Sequence, residues 1–130
     1  MSQAVPLPAA HSRRPLLAWM LYDVASSTYA AVVPSVLFAL HFTADIAAGR
    51  PNAAALWGIT SAAALLVAGI VAPFVGAWAD GRRAHTPLLA FFTLLCCVAT
   101  ALLPLPATGE ILLAAFVFIT AQVGYIVAIT

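Results

Sequence analysis

The sequence predicts an all-α membrane protein with four transmembrane helices. Hydrophobic residues make up 65% of the 130 residues and charged residues only 7%. A soluble domain carries about 25% charged residues. Mean hydropathy is +1.09. Four apolar runs, at about 16–42, 53–79, 87–103 and 111–130, meet or approach the roughly 20 residues a spanning helix needs. Backbone polar groups in lipid must bond within the protein, so each run is read as a helix. Breakers and charges fall between the runs, at Asp45–Asn52, Asp80–Thr86 and Pro104–Glu110.

Residues 1–15 read MSQAVPLPAAHSRRP. This stretch, rich in Pro, Ala and Ser, is expected to be a disordered cytoplasmic tail before a transmembrane region of residues 16–130. The apolar run after it is about twice the 7–15 residues of a signal-peptide core, so an uncleaved signal-anchor helix fits better. Pro34 in the first run and Pro73 in the second each remove a backbone donor and predict kinks. Ala62, Gly69 and Gly76 recur at seven-residue intervals in the second run, with Ala72 four before Gly76. Such a stripe of small residues is expected to let another helix approach. Cys96 and Cys97 are adjacent in the third run and poorly placed to bridge each other. Both are read as reduced, buried packing residues.

The arginines set an orientation. Arg13, Arg14, Arg82 and Arg83 share one side of the bilayer, and Arg50 alone lies on the other. The positive-inside rule then puts the N-terminus in the cytoplasm. The segment Asp80–Thr86 is cytoplasmic on this reading, and Thr130 lies near the same face.

Several function classes find no support. The net charge of +1 comes with no basic patch, so no nucleic-acid partner is expected. His11, His41 and His85 lie far apart without a paired Cys or His, so no metal and no cofactor is expected. There is no nucleophile–base pair and no phosphate-cradling Gly loop, so the chain is read as not an enzyme.

One charge interrupts the first run. In WMLYDVASSTYA, Asp23 follows Tyr22 and lies about seven residues from the start of the run, which is roughly 10 Å along a helix. Trp19, Ser26, Ser27 and Ala30 share its helical neighbourhood. Leu17, Met20, Leu21 and Val32 lie opposite and suit lipid or packed helices. An Asp at the bilayer centre costs about 2.5–3.5 kcal/mol on the insertion scale. The cost is lower at this depth and still calls for a reason. Three reasons stay open: contact with water or a structural partner, proton uptake coupled to transport, or binding of a cationic part of a solute. No Lys or Arg lies within any of the four runs.

The end of the second run reads GAWADGRRAH, from Gly76 to His85. Asp80 falls at a helix C-terminus, where the macrodipole disfavours a carboxylate. It is expected to accept hydrogen bonds from a neighbouring helix or from the arginines.

Taken together, these features resemble the major facilitator superfamily. Gly76, Asp80, Arg82 and Arg83 match the Gly, Asp and basic residues of that family's signature loop between helices two and three. Gly81 stands where a basic residue usually follows the Asp, and His85 occupies a basic position. The resemblance implies a gating role for this loop. The pattern W-x-x-Y-D-x-A-S-S-x-Y, from Trp19 to Tyr29, resembles helix one of the branch containing the vacuolar amino-acid effluxers linked to autophagy and their bacterial relatives. Ser26 replaces the usual Asn and Val24 the usual aromatic. Ala121-Gln122-Val123-Gly124-Tyr125 is similar to the family's fourth helix. The resemblance implies that Tyr22, Asp23, Ser26, Ser27, Tyr29 and Gln122 contact solute or couple its movement to protons. It also implies a permease or effluxer in a bacterial inner membrane.

A facilitator rocks two halves of about six helices each around a central site. A four-helix chain is therefore expected to be the N-terminal part, or fragment, of such a bundle. Its partners would be the bilayer, a small solute such as an amino acid, and the missing helices of the same transporter. Two alternatives remain: a complete four-helix exporter working as a homodimer, and a non-transporting membrane subunit or remnant.

Overall fold

The computed structural model describes residues 13–82 and 85–129, and these form helices and turns with no strand among them. The helices are α1 (Arg13–Val32), α2 (Phe38–His41), α3 (Ala53–Arg82), α4 (His85–Leu102) and α5 (Ile111–Ile129). Widened π-helical turns at Val33–Leu37 and Phe42–Ile46 join α1 and α2 into one span. Four segments are long and apolar enough to cross a membrane: Leu16–Ile46, Ala53–Gly81, His85–Leu102 and Ile111–Ile129.

The boundaries differ from expectation where a helix needs no break. Helix already begins at Arg13, and Asp45 lies inside the second π-turn. Asp80, Gly81 and Arg82 complete α3, while His85 and Thr86 open α4. Of the expected connecting segments, the described part of 80–86 is therefore helical, while 45–52 is helical only at Asp45 and Ile46 and turns from Ala47 onward. Charge alone does not end a helix, because its side chain can leave the apolar layer while the backbone ladder continues. Of the expected tail, residues 1–15, the first twelve lie outside the described residues, as does Thr130, and 13–15 are helical.

Pro34 explains the first π-turn. Its ring removes the N–H that would donate to the carbonyl of Ala30, four residues back. Ser35 Oγ donates to that carbonyl instead, at 3.4 Å. The turn widens, and the N–H of Phe38 donates to Val33 O, five residues back. The second π-turn closes the same way, with the N–H of Ala47 donating to Phe42 O at 2.8 Å. Pro73 has no such effect, and α3 runs through it as a continuous helix.

The π-turn separates two kinds of packing. Among the residues of α1 whose side chains are described, none is fully buried. Beyond Pro34, Phe38, Phe42, Ile46 and Ala47 are all buried. They meet Trp57 of α3 and Phe118 of α5 in an aromatic cluster. Phe38 stacks on Phe118 with centroids 5.2 Å apart and planes 13° apart. Trp57 lies 4.9 Å from Phe118 and 5.5 Å from Phe42. Leu103, Ala64 and Ala114 complete this core. The α4–α5 connection is tied to it as well. Gly109, at φ +95°, donates its N–H to Ile46 O at 2.8 Å, a backbone conformation that favours glycine. Glu110 Oε2 accepts from the N–H of Ala107 at 2.8 Å at the start of α5.

Elsewhere α5 is the central helix. It packs against both α3 and α4, which touch each other only sparingly. The expected small-residue stripe is not the packing face. Ala62 and Gly69 are exposed, and space around Gly69 and Gly76 is open. Of the expected positions only Ala72 is buried, as part of a row spaced by four, Thr60, Ala64, Ala68 and Ala72, with Ala79 further on. The heptad spacing found one stripe of small residues, and the four-residue row beside it makes the contact. The close approach occurs at Gly124. A Cβ there would lie 2.9 Å from the backbone nitrogen of Cys96 and 3.1 Å from the carbonyl oxygen of Phe92. The cysteines divide in the same way. Cys96 is buried at this contact, but Cys97, expected to be buried, points outward and is exposed. Adjacent residues on a helix are about 100° apart and cannot share one face.

The Gly124→Ala variant is expected to lose about 1–3 kcal/mol, because a backbone contact must open to admit the methyl. Gly69→Ala should lose nothing, since its Cβ meets open space. Thermal unfolding of the two variants in the same lipid or detergent would check this contrast.

Candidate functional site

The candidate site lies where α1 leans on α5, away from the aromatic core. Tyr22, Ser26 and Tyr29 recur at four and three residues and, with Ala30, are the half-buried residues of this stretch of α1. They form its contact stripe, and Val33 continues it. The Tyr22 hydroxyl donates to the carbonyl of Ala128 at 3.4 Å. Tyr29 and Tyr125 pack ring to ring, centroids 4.9 Å apart and planes tilted by 38°. One aromatic contact and one long hydrogen bond thus carry much of the seating of α1.

Asp23 sits at the edge of this stripe. It is exposed, as are Trp19 and Ser27, so the four helices leave it uncovered. The expected alignment of Trp19, Ser26, Ser27 and Ala30 divides, with Ser26 and Ala30 half-buried and the other two open. The Tyr125 hydroxyl lies within electrostatic range of Tyr22, Asp23 and Cys96. Among the described residues, Asp23 makes no ion pair. The two ion pairs found there are His41–Asp45 and His85–Asp80.

Two groups of the expected site have buried polar atoms without a hydrogen-bond partner among the described residues. The Tyr29 hydroxyl lies close to Cys96 and Thr100 of α4, yet has no hydrogen bond of good geometry. Gln122 is half-buried, and its Oε1 is also without a hydrogen-bond partner among the described residues. Unsatisfied buried groups cost roughly 1–3 kcal/mol each.

The signature-loop residues are only partly brought together. Gly76 is half-buried and Asp80 exposed. Asp80 Oδ1 lies 3.2 Å from His85 Nε2, joining the end of α3 to the start of α4. The expected partner of Asp80 is thus met by His85. Both side chains are largely exposed, so the pair adds little stability. Arg82 closes α3, its side chain lies outside the description, and Arg83 lies outside the described residues.

Two features escaped the sequence reading. His41 Nδ1 and Asp45 Oδ2 are 2.9 Å apart, one helical turn from each other. Their i, i+4 spacing was visible, but the helix was expected to end at Phe42. Tyr125 also has a larger place in the site than its motif implied. The signal available was its number, because the chain has only three tyrosines. All three meet here.

No group of three or more His, Cys, Asp or Glu able to hold a metal occurs among the described residues. Comparison with protein-family models, with curated proteins and with solved structures finds no match.

The Tyr29→Phe variant removes a hydroxyl that makes no good hydrogen bond and keeps the ring contact. It is expected to unfold at the same temperature as the wild type or higher, with a gain of up to about 1 kcal/mol. Tyr29→Ala should instead lose about 3–5 kcal/mol if the ring is packed like a core aromatic. Thermal melts of the two variants followed by circular dichroism would separate ring from hydroxyl.

Proposed function

We propose that the chain is the N-terminal part of a secondary transporter that moves a small solute by alternating access. The single observation that carries this reading is Asp23. It is a carboxylate in an apolar span, next to Tyr22 in sequence and without a protein counter-charge among the described residues. Ionisable residues within membrane spans are costly, and they mark solute and ion pathways by default. The uncovered side of Asp23 is where the rest of a transporter would close over it. The resemblance to the major facilitator superfamily supports the same reading and suggests amino acids as a solute class. On this reading Tyr22, Asp23, Ser26, Ser27, Tyr29 and Gln122 line or tune the path. The α3–α4 turn, with Gly76, Asp80, Arg82 and Arg83, is the gating segment. The N-terminus faces the cytoplasm, and the membrane is a bacterial inner membrane.

A homodimeric four-helix exporter is the second reading. The open space around Gly69 and Gly76 favours it, since small residues suit a helix of a second copy. Crosslinking in native membranes through Gly69→Cys distinguishes the two. A symmetric dimer crosslink supports the exporter.

In the full reading frame, Asp23→Asn is expected to reduce ion-coupled transport on the order of tenfold, about 1.4 kcal/mol in barrier, with protein levels near wild type. The measurement is solute uptake into proteoliposomes under an imposed proton gradient. Unchanged uptake removes Asp23 from the path.

A further inference from the structure

We propose that the cavity beside the first π-turn binds a small neutral molecule with an apolar body and one N–H or O–H group, which donates to His41 Nε2. The inference goes beyond the transport reading and does not rest on it.

The cavity has a volume of about 270 Å³ and lies between the first span and the end of α4. Val33, Leu37, Phe38 and His41 form one wall, and Thr100 and Leu103 belong to the other. The first span and α4 make few direct contacts, so an occupant would bridge them. Widened π-turns, such as the two that bracket Phe38–His41, recur at functional sites. A cavity of about 150 Å³ holds benzene, and drug-sized ligands take about 300–1,000 Å³. The occupant is therefore a molecule of one or two rings, or an aliphatic body of similar size.

His41 gives the site its polarity. Its Nδ1 lies 2.9 Å from Asp45 Oδ2. An ionised carboxylate only accepts, so Nδ1 carries the proton and the neutral ring keeps its lone pair at Nε2. Nε2 is buried and has no hydrogen-bond partner among the described residues. Such an acceptor is costly until a donor reaches it.

The surroundings select the donor. A buried water makes about three hydrogen bonds. The polar side chains of the lining are His41 and Thr100, and the Thr100 hydroxyl already lies 3.9 Å from Cys96 Sγ. Water therefore fits poorly. An anion would meet the Asp45 carboxylate. A cation would bind that exposed carboxylate directly and needs no apolar wall. One donor on an apolar body matches one acceptor among apolar walls.

The test uses the whole chain in phosphatidylglycerol nanodiscs, in mildly alkaline buffer where imidazole is neutral. The probes are indole and benzofuran, which has the same shape with oxygen in place of the N–H. The readouts are the His41 ring nitrogen signals and the methyl signals of Val33 and Thr100, which report on the cavity whatever stands at position 41. Indole is expected to shift all of them saturably, and benzofuran to bind at least about tenfold more weakly. His41→Phe should remove this preference, leaving the two probes equal at the methyl signals. Leu37→Trp, at an exposed position, should fill the cavity and abolish both responses. Equal affinities in the wild type overturn the donor assignment, and that comparison needs no variant to fold. A His41→Phe chain that still prefers indole overturns it as well. Shifts that grow linearly without saturation, as partitioning into lipid gives, or a Leu37→Trp chain that binds like the wild type, overturn the site itself.

Discussion

The rest of the structure depends on how one missing hydrogen bond is absorbed. In lipid, a backbone carbonyl left without a donor has no water to turn to. Pro34 creates that situation at Ala30, and Ser35 answers it with its hydroxyl. The backbone widens by one residue to accommodate the ring. An inserted residue of this kind re-aims the helix beyond it, because each residue advances the side-chain direction by about 100°. Phe38, Phe42 and Ile46 then fall on one face and reach Trp57 and Phe118. The polar repair and the aromatic core are consecutive consequences of one proline.

The same event divides the molecule into a closed end and an open end. At the closed end, stacked rings, the Gly109–Ile46 hydrogen bond and the Glu110–Ala107 hydrogen bond hold the first span, the α4–α5 connection and α3 together. At the open end, α1 touches α5 through tyrosines and little else. Local stability follows contact density, and elements with few buried apolar contacts open at lower free energy. A helix fixed at one end and loosely seated at the other can tilt about its fixed end. The carboxylate lies on the loosely seated part.

The apolar composition made the four spans legible, because a helix crossing lipid leaves the chain little choice. The starts of α3 and α5, at Ala53 and Ile111, were legible to the residue. Helix ends marked only by charge were not, since Asp45 and Asp80 continue their helices. Packing faces were the least legible part. In soluble helices polarity marks the buried side, but in α3 nearly every position is apolar. The contact row at Thr60, Ala64, Ala68 and Ala72 differs from the expected Ala62, Gly69 and Gly76 row only in what lies opposite, which a single helix does not encode. Within the site, the carboxylate stood out as the one charge in an apolar run. The meeting of Tyr29 with Tyr125 needed the antiparallel seating of α1 on α5, a relation between residues 96 positions apart.

The exposure of Asp23 bears on the competing readings more than its depth does. A carboxylate kept for structure alone would be expected to face a donor, and Asp45 and Asp80 do so through His41 and His85. Asp23 differs from both. It makes no ion pair among the described residues, and its outer side is left open by all four helices. Lipid is a poor neighbour for that side, since a charge there meets no solvating group. A further helix, a second copy of the chain or a bound cation would each remove the cost. The first two are coverings that either transporter architecture provides in common. The third separates a solute site from a structural contact, because only a ligand can come and go while the fold around the tyrosines stays in place.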